Sequence, residues 1–503
     1  MRAGQPPSEP GVGSTPVTDS APTMSERTRW QAFAIAVSVA ALTILDLSKV
    51  NVGIPAIEQA LNASPTEIQI IVAGYVLAFG VVLVPAGRWG DLHSRRRMFL
   101  IGLVVFLIAS LLCALAPTVE VLAASRVLQG VAAGLLMPQV LGLTQQLFTG
   151  PARGRAFGIF GAVIGLATAF GPTLGGLFVG IGDADFGWRL IFWMNVPLVV
   201  ALFPFAYKLL PRTQPDSGAA KDLDLVGTGL LALTVLAVML PFVLTTGGTD
   251  DNPSRWFSLL AAAGTAALFV VWERRYTRAG RSAVVDFTLF RIEGYRNGTL
   301  IGMFYFSALP ATFLTLTLFL QLGIELAPVF AGMVTIPFAL ASAVTSFLSG
   351  RVVHVYGRRI VAGGLALVIG GLASTVLAAF VVPVDVLPWV VAVTMGIAGA
   401  GGGAVIAPNQ TLALAEVPVT SGGVAGSIQQ VAQRVGTAVG IAAGTAAFYA
   451  TIYAERGEFA ELMVFQDAFR NASAVALVLL TAALITALVD VRARQTGRIT
   501  VTT

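Results

Sequence analysis

The chain has 503 residues, of which 56% are hydrophobic and only 11% charged, against about 25% charge in ordinary soluble domains. That balance excludes a water-soluble globular fold. The formal net charge of +5 does not point to nucleic acid, because the bases are spread over short segments between apolar runs instead of forming one patch. The lone cysteine, Cys113, excludes an intrachain disulfide.

Residues 1–29 are rich in Pro, Gly, Ser and Thr and lack the apolar core of a signal peptide. They read as a disordered cytoplasmic tail. Apolar stretches near the length that crosses the ~30 Å hydrocarbon core follow at 30–54, 68–87, 98–116, 119–137, 156–179, 190–207, 225–245, 254–271, 298–322, 328–350, 360–381, 387–407, 423–449 and 469–488. The expected fold is an all-α membrane protein of fourteen transmembrane helices. Six spans fall in 30–210 and six in 298–490. Residues 211–297 carry two inserted helices and a basic cytoplasmic linker, and 491–503 form a second cytoplasmic tail.

An even number of spans puts both termini on one side. Only Arg189, Arg255, Arg456 and Arg470 fall on the other side, and Lys49, Arg126 and Arg434 fall within spans; the rest of the 31 bases lie on the side of the termini. Positive charge collects on the cytoplasmic side, so both termini are expected there.

The segment after span 2 reads GRWGDLHSRRR from Gly87, and the segment after span 10 reads GRVVHVYGRR from Gly350. Gly-Arg is followed at the same distance by Arg-Arg in both. Short cytoplasmic loops collect arginine in any membrane protein, but two copies at equivalent positions point to parallel repeats of the kind transporters use. Asp91 in the first copy is replaced by His354 in the second.

GRWGDLHSRRR resembles the loop signature of the major facilitator superfamily, with Ser94 where Gly is usual. AASRVLQGVAAG (123–134) resembles its fourth-helix motif with a buried Arg. GIFGAVIGLATAFGPTLGG (158–176) looks like its fifth-helix antiporter motif, and GWRLIFWMNVPL (187–198) is similar to the lead into helix 6. The chain is therefore identified as resembling the fourteen-helix drug:proton antiporter branch. The resemblance implies two major facilitator six-helix bundles rocking about a central cavity, with export driven by proton entry. It also implies a gating role for Gly87, Arg88, Asp91, Arg95 and Arg96, and an antiporter role for Gly158, Gly171, Pro172, Gly175 and Gly176.

Among the acidic residues, Asp46 is read as the one well inside an apolar span. A charge there costs roughly 3 kcal/mol on insertion scales, so it is a functional candidate by default. The segment ILDLSKVNVGIPAI (44–57) resembles the branch's first-helix motif, in which the matching Asp is linked to energy coupling. Lys49 stands where that motif is usually apolar. At i, i+3 it shares a face with Asp46, and its alternatives are pairing with Asp46, facing the cavity, or snorkelling to the nearby interface. Arg126 lies seven residues into span 4, and the resemblance implies that it approaches helix 1 and biases Asp46, either as part of coupling or as a permanent ion pair. Arg434 is a second cavity charge of comparable depth. Asn51, Gln129, Asn195, Gln321, Asn409 and Gln433 are the polar candidates for lining a substrate cavity.

No cofactor is expected. None of the three lysines, Lys49, Lys208 and Lys221, sits in a phosphate-binding loop, and the two histidines, His93 and His354, stand in separate Arg-rich loops without a metal-ligand cluster. The best reading is a proton-coupled exporter of small amphipathic compounds in a bacterial cell membrane, working as a monomer with the bilayer, protons and its small-molecule substrate as partners and no nucleic acid. A dedicated exporter of one metabolite or lipid, an importer, and a membrane-embedded enzyme or receptor are the alternatives.

Overall fold

The computed structural model describes residues 24–181, 186–212, 224–244, 253–281, 283–455 and 460–495. Among these, every regular element is helical. In chain order the spans are α1 (Glu26–Leu61), α2 (Pro65–Leu92), α3 (Arg95–Ala114), α4 (Val119–Leu147), α5 (Gly150–Ile181), α6 (Gly187–Leu209) and α7 (Leu225–Val243). They continue with α8 (Ser258–Arg278), α9 (Glu293–Leu318), α10 (Phe330–Tyr356), α11 (Arg358–Val381), α12 (Leu387–Ala413), α13 (Gly422–Glu455) and α14 (Glu461–Gln495). Thirteen of them are long and apolar enough to cross a membrane, and α5, bent by 40° between Thr168 and Thr173, makes up to fourteen.

Hydropathy located the spans but not their ends. The helices α1, α13 and α14 run for 36, 34 and 35 residues, about 50 Å each at 1.5 Å per residue, because backbone hydrogen bonding continues past the apolar window until a cap stops it. Ser25 caps α1, its Oγ accepting the Thr28 N–H at 3.2 Å. Glu26 to Arg29 are consequently helical, which corrects the reading of 1–29 as tail throughout; residues 1–23 and 496–503 lie outside the described residues. At its other end Asn62 takes a left-handed conformation (φ 49°) that closes α1. Ser64 and Glu67 form a capping box at the start of α2. Ser94, the departure from the family loop pattern, caps α3 by accepting the Arg97 N–H at 3.2 Å.

Phe33, Tyr75, Phe99, Phe106 and Phe157 mark one core, among α1 to α5, and Phe319, Leu372, Val405, Phe448 and Phe469 mark another, among α9 to α14. Around these the chain forms two halves. Tyr295, Leu414, Val417 and Ala425 of the second half join the first core. They lie at the end of the molecule that carries the GRWGDLHSRRR loop, hereafter the loop face. The helix α7 lies against α2, with the Met239 side chain over Gly80. Leu225, Leu260 and Leu268 of α7 and α8 are exposed, an apolar surface suited to lipid.

Candidate transport site and gate

Asp46 lies twenty residues into α1, about 30 Å from its start, and is fully buried. Its Oδ2 accepts Arg126 Nη1 of α4 at 2.8 Å. Its Oδ1 accepts Asn195 Nδ2 of α6 at 2.7 Å and lies 3.3 Å from Lys49 Nζ. Lys49 in turn donates to Asn195 Oδ1 at 2.5 Å. Arg126 also donates to Gln129 Oε1 at 2.6 Å, and Ser110 of α3 receives Gln129 Nε2 at 3.0 Å and Asn195 Nδ2 at 3.2 Å. Two cations and one carboxylate thus share a continuous network drawn from four helices, with a formal excess of one positive charge. Such a group is tolerated in lipid only because each charge has partners.

Snorkelling of Lys49 is overturned. It needed the side chain to turn outward past the end of the apolar part of α1, which closes at Val50. The ammonium is fully buried and bonded inward. Gln129 and Asn195 were expected as cavity lining and instead complete this network. Asn409 is likewise engaged elsewhere, accepting Arg358 Nη1 at 2.5 Å and donating to the Gly298 carbonyl at 2.8 Å. Gln433 is buried against α9 near Gly302, and Gln321 sits in a wide π turn at the end of α9 remote from the loop face. The side chains of Asn51 and Pro172, and Arg456, lie outside the described residues.

Arg126 stacks over the Tyr75 ring, 4.3 Å from its centroid. One turn along α2, Phe79 lies 6.0 Å from Tyr75, centroid to centroid. Arg434 of α13 stacks on Phe79 at 4.6 Å, so a cation, two rings and a second cation run from the first half into the second.

At the loop face, Asp91 accepts the backbone N–H groups of Gly423 at 3.1 Å and Val424 at 2.9 Å. These are the first residues of α13, where a helix presents free N–H groups and the positive end of its dipole. Arg95 Nε and Nη2 donate to Asp91 Oδ1 at 2.9 and 2.7 Å. Arg95 also donates to the carbonyls of Val419, at 2.5 Å, and Gly142, at 3.0 Å. Arg96 donates to the Tyr207 carbonyl at 2.6 Å, and Arg88 is half-buried near the end of α2. A Cβ at Gly87 would press on the Gly423 backbone, 2.7 Å from its carbonyl oxygen.

The antiporter-motif glycines face two ways. A Cβ at Gly158 would sit 2.9 Å from the Ser346 carbonyl oxygen of α10, and the Ser346 hydroxyl donates to the Gly158 carbonyl at 3.3 Å. Beyond the bend, a Cβ at Gly175 would sit 2.5 Å from the Lys49 carbonyl oxygen, Gly171 is pressed against Ser48, and Gly176 makes only ordinary contact with Val52. One helix therefore touches the second half near the loop face and the α1 charge cluster at its far end.

Sequence reasoning missed three buried acids near the loop face. Asp490 of α14 is fully buried and accepts Arg358 Nε at 2.7 Å and Asn297 Nδ2 at 3.0 Å. Glu273 is also fully buried, accepting the Val284 N–H at 3.1 Å, and Asp224 accepts Trp272 Nε1 at 2.7 Å. The repeat did signal Arg358, which follows Gly350 by the same eight residues that separate Arg95 from Gly87. Asp490 lies just past the last apolar window, where a carboxylate reads as exposed.

The sequence profile of the Major Facilitator Superfamily matches residues 36–441. The chain belongs to that superfamily. It is thus a multi-pass membrane transporter and not an enzyme. It is 34% identical over 442 residues to the probable actinorhodin transporter of Streptomyces coelicolor, covering 86% of this chain and 75% of that one. It is 31% identical over 396 residues to the multidrug resistance protein Stp of Mycobacterium tuberculosis, covering 77% and 70%. Its fold matches the crystal structure of the human organic anion transporter MFSD10 with a TM-score of 0.62 at 13% identity, over 90% of this chain and 99% of that one.

Proposed function

We propose that this transporter is a proton-driven exporter of small amphipathic compounds from a bacterial cell, acting as a monomer by alternating access with both termini in the cytoplasm. The observation that carries the reading is Asp46, a fully buried carboxylate shared by Arg126, Lys49 and Asn195. Protonation removes the one negative charge that compensates two buried cations. The network must then rearrange, because uncompensated charge in lipid is costly. The helix α5 offers the mechanical link, since it packs on Lys49 at one end and on α10 at the other. On this reading the two six-helix bundles are the rocking bodies and α7 and α8 an insertion beside their seam. The loop face is cytoplasmic and closed by Asp91 and Arg95. Likeness to a multidrug resistance protein supports efflux as the direction.

The test uses inside-out vesicles carrying the wild-type protein or Asp46→Asn, an acid-inside pH gradient, and a chemically diverse panel. Substrate-evoked proton leakage in the wild type that disappears in a well-folded Asp46→Asn protein is expected. Undiminished leakage in that variant assigns Asp46 to structure alone and removes it from coupling. A dedicated exporter of one compound is the second reading, supported by likeness to the probable actinorhodin transporter; flux evoked by one compound alone favours it.

A further inference from the structure

The interior charges of the two halves do not balance. In the first half, Asp46 answers Lys49 and Arg126 together and leaves one positive charge over. In the second half, Arg434 sits twelve residues into α13, about 18 Å from its loop-face end. Among the described residues no carboxylate forms a salt bridge with it, its Nε has no hydrogen-bond partner, and its recorded close companion is the ring of Phe79. A guanidinium is never relieved by losing its proton, and a ring face compensates it less well than an anion does. The residue as a whole keeps some exposure, while its Nε is enclosed.

We infer that Arg434 is an anion-binding residue of the substrate site, and that the exported compounds are amphipathic organic acids whose carboxylate or comparable anionic group pairs with its guanidinium. This rests on the export reading above and names the substrate class for it. The position is suited to the task because Phe79 belongs to α2 and Arg434 to α13. An acid that draws the guanidinium off the ring trades a contact between the halves for one with the ligand, so binding bears on the seam that alternating access must open. Tyr75 and Phe79 are buried beside the charge, and the Phe79 face that the guanidinium would leave is a flat apolar surface suited to a ligand with an anionic group on a planar apolar body. The same excess of positive charge disfavours cationic amphiphiles, since a like charge brought into a low-dielectric site is repelled strongly.

The experiment measures equilibrium binding to the purified full-length protein in nanodiscs, without any pH gradient, so that a failure of proton coupling and a failure of this inference give different results. Three matched probes are titrated: naphthalene-2-carboxylate, its carboxamide, and the corresponding aminomethyl cation. The wild type is expected to bind the carboxylate at least about tenfold more tightly than the other two, the worth of one charge-assisted hydrogen bond. Arg434→Gln should bring the three within about twofold of one another, and Arg434→Lys, which keeps the charge and guards against a folding defect, should retain part of the preference. Titration with chloride separates sources of the anion: weak displacement at physiological chloride is expected, whereas displacement by chloride as effective as by the carboxylate assigns the site to small inorganic ions and overturns the substrate class. Absence of carboxylate binding in the wild type, equal binding of all three probes, or an unchanged preference in Arg434→Gln overturns it as well.

Discussion

The two arginine-rich loops begin with the same Gly-Arg and end with the same Arg-Arg, yet their equivalent arginines are wired differently. Arg95 pairs with Asp91, four residues earlier on its own side of the molecule, and the pair reaches across to Gly423, Val424 and Val419 of the second half. Arg358 has His354 at the matching place and takes its carboxylate from Asp490 on α14, together with Asn409 and the Gly294 carbonyl, all within the second half. The first set of bonds must break if the halves separate at the loop face. The second can persist while its half moves as a unit. One copy of the repeated sequence thus bonds across the halves, as the proposed latch, and the other bonds within its own half, as a brace, and a single replacement, Asp by His, marks where they part.

The largest effect is expected from breaking the latch. Asp91→Asn leaves the buried Arg95 without its counter-charge, a change that in buried pairs costs about 3–5 kcal/mol. Asp91 also holds the Gly423 and Val424 N–H groups of the second half, so beyond a lower melting temperature, spin-label distances across the loop face should lengthen and substrate-evoked flux per folded molecule fall about tenfold or more. Normal flux and unchanged distances would make Asp91 a structural acid and remove the distinction.

The brace should respond in the opposite way. Asp490→Asn is expected to lower stability by about 3 kcal/mol, read as an earlier thermal melt, while flux per folded molecule stays within about twofold of wild type. Adding His354→Asp rebuilds the i, i+4 spacing of Asp91 and Arg95 and should recover part of the loss. A collapse of flux at full stability in Asp490→Asn would show that the second loop also gates. The smallest effect belongs to Ser94, the cap of α3: Ser94→Ala should cost about 1 kcal/mol, and Ser94→Gly, the residue usual in the family loop, only a few tenths, both measured by thermal unfolding.

Much of this was legible in the residues. Lipid as solvent, the position of each span, the repeat, and the presence of Asp46 and Arg126 as charges inside spans all follow from hydropathy, charge and spacing, which are properties of short windows of chain; that the two meet was implied only by the family resemblance. The i, i+3 spacing of Asp46 and Lys49 also announced that they share a face. What spacing left open was whether Lys49 would reach outward or inward. Asn195, 146 positions away, turned it inward by accepting a hydrogen bond from its ammonium at 2.5 Å. Similarly, the polar residues Gln129, Asn195 and Asn409 were recognisable as unusual for a membrane interior, but they serve charged neighbours.

The sequence by itself determined the solvent, the approximate number of helices, and which charges had to find partners inside the membrane. Tertiary structure alone decided who those partners are: Arg126 for Asp46 across 80 positions, Asp490 for Arg358 across 132, and the start of α13 for Asp91 across 332. The reason is physical. Hydropathy and helix periodicity are local and need only a few turns of chain, whereas the compensation of a buried charge depends on which distant helices pack within about 3 Å of it, and that is fixed only when the whole bundle has closed.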